Sequence, residues 1–271
     1  MTGDETERAS RAGINTNVPH APRIWNYWVG GKDNYAADRE VGDRMAEMYP
    51  EIVHLARADR AFLGRAVRYL AGEAGVEQFL DIGTGLPTAS NTHEVAQTLN
   101  PRSRVVYVDN DPLVLTHARA VLGGTPEGAT AYIEADLHDP GRILREAAAT
   151  LDFDKPVALM LLGVLIYVPE TQRAYEVVRE LVDAVPPGSH LVIAHSTSEV
   201  YGEATEKVVA HRNQFVKPAM TLRSGAEIER FFEGLELLEP GVVSCSRWRP
   251  DPTEIGEVRD VDEFAGVARK P

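Results

Sequence analysis

Two glycines follow the acid Asp81 in QFLDIGTGLPT, residues 78–88, and two further acids, Asp109 and Asp136, close later apolar runs in RVVYVDN and ATAYIEAD. That spacing suits nucleotide chemistry. Gly83 and Gly85 can take positive φ and let a ligand approach the backbone closely. Asp109 can accept hydrogen bonds from both hydroxyls of a ribose, which a charged carboxylate does strongly, and Asp136 is placed to lie near an adenine amino group. Asp81 can cap the glycine turn by bonding backbone N–H groups. A dinucleotide fingerprint, G-x-G-x-x-G, needs a third glycine at 88, where helix packs on strand beneath a pyrophosphate. This chain has Thr88 there, preceded by Pro87. An NAD-dependent oxidoreductase keeps the strand-two acid but should show that third glycine, and no Tyr-x-x-x-Lys pair of the short-chain dehydrogenases is present.

The elements that must position these residues are legible from periodicity. EQFLDIG, RVVYVDN, ATAYIEAD, PVALMLLGVLIYV and SHLVIAHS read as strands, the fourth with its exit segment. THEVAQTL, PLVLTHARAVLG, PGRILREAAATL and PETQRAYEVVRELVDAV read as the helices between them. Alternation of this kind predicts parallel strands with crossover helices, a Rossmann-like doubly wound α/β sheet whose ligand sits beyond the carboxyl ends of the strands. SGAEIERFFEG predicts a helix, and LELLEPGVVSCSRW and EFAGVARK two closing strands. Asp111, followed by Pro112, reads as a helix N-cap with proline in the first turn, and Asn91 can cap the helix carrying His93.

Composition bounds the rest. The chain has 271 residues, 44% hydrophobic and 25% charged, which suits one large domain or one domain with an added lid. The formal charge of −13, without a basic stripe, disfavours a nucleic-acid substrate. No apolar run approaches the length of a membrane span, and the first residues lack the core of a signal peptide. With its single cysteine, Cys245, the chain reads as a cytoplasmic protein. No metal-ligating cluster is read. Residues 1–22 predict a flexible tail, 23–75 a helical lid segment and 76–271 the ligand-binding domain. Within the lid, IWNYWVGGKDNYAADRE sets Tyr27, Trp28, Lys32, Asn34 and Tyr35 around Gly30 and Gly31, and predicts a loop that folds over the ligand.

These residues carry a resemblance. The glycine turn, ribose acid, adenine acid and post-strand-four segment match, in order, a class I S-adenosylmethionine-dependent methyltransferase. GGKDNYAADRE, RAFLGRAVRYLA, NTHEVAQ and LRSGAEIERFFEGLELLEPGVV resemble more closely one bacterial family of that fold, labelled S-adenosyl methyltransferase and formerly a domain of unknown function. The resemblance implies an S-adenosylmethionine site made of Asp81, Gly83, Thr84, Gly85, Asp109, Asn110, Asp136, Leu137 and Gly163, with Asp81 near the ammonium of the methionine part. It accounts for the missing third glycine, because this cofactor has no pyrophosphate. It also implies in-line methyl transfer to a small-molecule acceptor. His195, at the end of strand five, and Tyr167, beside Ile166 where relatives carry histidine, are then the candidate catalytic residues, His195 placed to act as a base. A non-catalytic binder of the same cofactor would keep every cofactor residue.

Overall fold

A computed structural model of the chain describes residues 15–88, 90–111, 114, 123–251 and 258–271. The helix expected over 112–123 lies almost wholly outside the described residues.

Five parallel strands, β1 (Gln78–Ile82), β2 (Arg104–Asp109), β3 (Ala129–Glu134), β4 (Ala158–Leu162) and β5 (His190–Ser196), form the sheet in the order β3-β2-β1-β4-β5. The edge beyond β5 is antiparallel. The long strand β8 (Glu263–Arg269) pairs with β5, and the two-residue strands β6 (Glu236–Leu237) and β7 (Val243–Ser244) pair with β8. The two expected closing strands are therefore three, with LELLEPGVVSCSRW split at the Pro240–Gly241 turn.

Side chains alternate across the strands, so successive residues bury on opposite faces. Leu80, Val106, Leu159 and Leu191 join one core cluster. Their neighbours Phe79, Val105, Ala158 and Val192 join the other. Burial on both faces explains why these strands read as apolar runs rather than as alternating patterns.

Helices α1 (Ala21–Trp28), α2 (Ala36–Met48) and α3 (Glu51–Gly72) precede the sheet. Helices α4 (Thr92–Leu99), α5 (Pro140–Ala147) and α6 (Thr171–Asp183) sit among the parallel strands, and α7 (Glu203–Phe215) and α8 (Gly225–Glu229) follow β5. A third core cluster joins Ile24, Trp28, Met45, Tyr49 and Ile52 to Val208 and Val216, and so fastens the N-terminal helices to α7 and the segment after it. The residues just before α1 are also held, because the Arg23 guanidinium donates to the carbonyls of Asn15 and Val18. Residues 15–22, expected to belong to a flexible tail, are thus tied to α1, which begins at Ala21.

Register aligns the strand ends. Ile82 pairs with Val108, Asp109 with Glu134 and Leu162 with Ala194. The sequential order reverses between β1 and β4, and the segments leaving β1, β2, β3 and β4 open on one crevice there.

Candidate active site

The first wall of the crevice is the glycine turn after β1. Gly83 (φ +79°) donates to the Val108 carbonyl at 2.8 Å, and a Cβ on it would lie 2.4 Å from Val164 Cγ2. Gly85 (φ +62°) and Gly163 (φ +62°) differ, because nothing lies within 4 Å of where their Cβ would stand. They face space. The Gly85 amide donates to Asp109 Oδ2 at 3.0 Å and the Asp111 amide to Asp109 Oδ1 at 3.0 Å. The Asn110 amide adds a further bond, and the carboxylate lines the cavity within reach of a ligand hydroxyl. Burial pushes the Asp109 carboxyl up to about 6 even against these amide bonds.

Asp81 is buried and accepts from Thr92 Oγ1 at 2.6 Å. Burial raises it to about 6, while Thr92 and the Arg60 guanidinium pull the other way. Thr92 opens α4, whose N-cap Asn91 donates its amide to Glu94 Oε2 at 2.8 Å. The helix that begins here therefore orients the strand-one acid. At the end of β3, Asp136 Oδ1 accepts the His138 amide and meets its Nδ1, both at 2.8 Å, and Asn110 Nδ2 stands 3.5 Å from Oδ2. Partial burial works to raise the Asp136 carboxyl, but the bonds from His138 outweigh it and hold it low. Asp111, read as a helix cap, also pairs with His20 at 3.2 Å and so ties the N-terminal segment to this edge.

These residues line one cavity of about 570 Å³, together with Thr84, Leu137 and Tyr167. Its opposite wall comes from α1, α2 and α3, through Trp25, Trp28, Met45, Tyr49, Asp59 and Arg60 among others, and from Arg212 on α7. Acids outnumber bases along the lining: Asp59, Asp81, Asp109, Asp111, Asp136, Asp262 and Glu263 face Arg60, Arg212 and Lys217. Such a cavity suits a cationic ligand with hydroxyls, and the bare glycines leave room for it against the backbone.

The family described as S-adenosyl methyltransferase matches residues 7–271. The chain belongs to the S-adenosyl methyltransferase family. It is 46% identical to a DUF574-family protein from Streptomyces avermitilis MA-4680, over 94% of this chain and 99% of that one, with a TM-score of 0.90. It is 40% identical to a protein of solved structure from Thermobifida fusca YX, over 95% of this chain and 97% of that one, with a TM-score of 0.86. An O-methyltransferase family protein from Burkholderia thailandensis shares the fold alone, at 16% identity over 88% of this chain and 74% of that one, with a TM-score of 0.51. No curated protein matches the chain.

The protein is therefore an S-adenosylmethionine-dependent methyltransferase, and the cavity fits its cofactor. Every residue read for that cofactor lines the crevice, from Asp81 to Gly163. In this methyltransferase the residues read for catalysis and for the lid divide. Tyr167 lines the cavity, with Arg212 Nη2 3.5 Å from its hydroxyl and the guanidinium over its ring. Burial pushes that hydroxyl up, out of reach of a base role near neutrality. His195 is not brought to the cavity. It is fully buried on the opposite face of β5, where Nδ1 donates to the Ser196 carbonyl at 2.8 Å and Nε2 meets Arg223 Nη1 at 2.7 Å. Burial lowers its pKa to about 4, so it is neutral and both nitrogens are occupied. The alternation of β5 decides this, because Leu191, Ile193 and His195 share a face while Ser196 takes the cavity side.

His195 instead steadies Arg223, which also donates to the Leu165 and Val168 carbonyls at 3.0 and 2.6 Å and so holds the segment carrying Tyr167. Changing His195 to alanine should cost about 1–3 kcal/mol of stability, the scale of stranding a buried polar partner, with S-adenosylhomocysteine affinity nearly unchanged. Denaturant melts beside calorimetric titration check this.

The glycine loop does not fold over the cavity either. It wraps Asn26, whose Oδ1 accepts from the Asp33 amide and Asn34 Nδ2, each at 3.0 Å. Any Cβ at Gly31 would lie 2.3 Å from Asn26 Nδ2. Tyr27 bonds Asp43, Tyr35 caps α2 and Lys32 is exposed, and none of them lines the cavity; Trp28 does, from α1. An apolar helix face provides the wall because it excludes water without exposing unpaired backbone groups, as a loop would.

Sequence reading missed Asp59, Arg60, Arg212 and Glu263. Asp59 carried a signal: it interrupts the helical stripe Leu55, Phe62, Leu63 and Ala66 with an acid. Helix α7, which brings Arg212, gave little, because its apolar positions are sparse.

Proposed function

We propose that this methyltransferase acts in the cytoplasm on a small molecule held inside the cavity, with Gly85, Gly163 and Asp109 holding the cofactor's adenosine, Asp136 its adenine and Asp81 its ammonium. The single observation behind this reading is the enclosure of the carboxyl edge of the sheet by α1, α2, α3 and α7 around about 570 Å³. That volume is in the range of small-ligand sites, roughly 300–1,000 Å³. The net charge of −13 also works against a nucleic-acid acceptor. Among the described residues no helix is long and apolar enough to cross a membrane. The buried free thiol of Cys245 suits a reducing compartment.

S-adenosylmethionine supplies an activated methyl group on a sulfonium, so the protein's work is to align an acceptor in line with that group and exclude water. Trp25, Trp28 and Met45 supply the apolar surface for exclusion, and Tyr167, held by Arg212 and the Arg223 clamp, shapes the acceptor side. Incubation with methyl-labelled S-adenosylmethionine and a fractionated cell extract tests the reading. Label should appear among small molecules, and label in the protein or nucleic-acid fraction would refute it.

The acids also set a pH dependence. Asp81 and Asp109 both titrate near 6 in the free protein, raised by burial from 3.8. Ligand binding needs them ionised, so S-adenosylhomocysteine affinity should fall as pH drops through about 6. The same shift acts oppositely on folding. A raised carboxyl stabilises the ligand-free fold fully below its unfolded value, and this is lost as pH rises through about 6. Calorimetry and denaturant melts from about pH 4.5 to 8, on the wild type and on Asp109→Asn, should show the two slopes with opposite signs, both reduced in the variant.

A further inference from the structure

The carboxyl groups of the cavity are not equally occupied. Asp262 accepts from the Val200 amide, the Tyr201 amide, Thr205 Oγ1 and the Tyr49 hydroxyl, so its place is structural. Its neighbour Glu263 accepts from Ser196 Oγ at 2.6 Å. Asp59, on α3, lines the same cavity with Oδ1 buried and without a hydrogen-bond partner. Neither Asp59 nor Glu263 forms an ion pair among the described residues.

The groups around them offset this charge only in part. Arg60 faces Asp59 and Asp81 and donates to Asn91 Oδ1 at 3.1 Å. Arg65, on the next turn of α3, spends its donors on the Trp248 and Cys245 carbonyls at 2.9 and 2.7 Å. Asp262 adds a like charge beside Glu263. Burial raises both Asp59 and Glu263, and the Asp59 charge raises Glu263 further.

Position separates this pair from the cofactor acids. Glu263 opens β8 and lies in register with Ser196 at the end of β5. Strand β8 is three places from β1 in the order β1-β4-β5-β8, about 14 Å at the usual strand spacing, on the side away from Asp109. Asp59 lines the same cavity from α3, close enough to interact with both Asp81 and Glu263.

We propose that Asp59 and Glu263 bind the methyl acceptor through a protonated amine, which makes the acceptor a nitrogen nucleophile and the carboxyl pair its proton acceptor. The cation completes a buried acid pair that forms no ion pair among the described residues and shares Arg60 with Asp81. One ammonium proton passes to the ionised carboxylate of the pair. The freed nitrogen lone pair then forms a bond to the methyl carbon as the carbon–sulfur bond breaks, and that electron pair stays on sulfur to give neutral S-adenosylhomocysteine. The product leaves as the N-methylated ammonium. This rests on the reading of the cavity as the acceptor site.

The test is binding, with phenethylamine, tryptamine and putrescine as probes beside phenethyl alcohol, tryptophol and butane-1,4-diol. Saturation-transfer NMR on the full chain, with and without S-adenosylhomocysteine, should rank at least one amine about tenfold or more above its alcohol. Glu263→Gln and Asp59→Asn should each abolish that preference and leave S-adenosylhomocysteine affinity within about threefold, since they remove charge and not volume. Amines that bind no better than alcohols, including no binding of either, overturn the proposal in the wild type, where folding of variants plays no part. Loss of cofactor affinity with the amine preference kept would assign the pair to the cofactor and overturn it too. Absence of S-adenosylhomocysteine binding in the wild type is a separate result, which refutes the cofactor reading and leaves the amine ranking to be scored on the ligand-free protein.

Discussion

Replacing Asp109 with alanine will weaken S-adenosylhomocysteine binding by about 10- to 150-fold, corresponding to roughly 1.5–3 kcal/mol for hydrogen bonds to a charged group. The carboxylate has two tasks at this position. It accepts the Gly85 and Asp111 amides at 3.0 Å each, which fixes the glycine turn against the end of β2, and it lines the cavity where the ribose is proposed to bind. Alanine removes both, so the turn loses its anchor together with the ligand. Ligand-free stability should change much less, because the variant also removes a carboxyl that burial has pushed up to about 6. Calorimetric titration with circular dichroism as a folding control checks this. Binding within twofold of the wild type, with the fold intact, would remove Asp109 from the site.

The three crevice glycines should separate into two kinds when each is changed to alanine. At Gly83 the new Cβ meets Val164 Cγ2 at 2.4 Å and the backbone sits at φ +79°, so left-handed strain of about 1–2 kcal/mol adds to overpacking of about 1–3. Gly83→Ala should therefore lose roughly 2–5 kcal/mol of stability, or about 4–20 °C in Tm for a chain of this size. Gly163 shares the left-handed backbone but faces open cavity, with nothing within 4 Å of its Cβ position. Gly163→Ala should cost only the strain, about 1–2 kcal/mol, and show its main effect in binding, where a methyl group intrudes on the ligand at about 5- to 150-fold. Thermal melts and titrations on both variants distinguish them. Equal loss of stability at the two positions would mean that Gly163 serves the fold and not the ligand.

What the sequence determined on its own lies at the strand ends. Asp81, Asp109 and Asp136 close apolar runs, and Gly83 and Gly85 follow the first, so type, order and spacing are all local signals. The parallel sheet follows from alternation of strands and helices, and the register that aligns Ile82, Asp109 and Leu162 needs nothing beyond the pairing of those runs. The crevice residues proposed to hold the cofactor were therefore legible in the sequence.

Tertiary structure decided the acceptor half. His195 looked available because it ends a strand, but the two-residue alternation of β5 and a partner 28 positions later, Arg223, turn it into the core. The lid was read into the glycines at 30 and 31, whereas those glycines only let the chain close around Asn26 and the wall falls to α1. Arg212 arrives on a helix with too few apolar positions to announce itself. Asp59 and Glu263 meet from opposite ends of the chain. Each is locally one acid among 41, and only the packing of α3 over β8 removes water from both and gives their charge a chemical meaning.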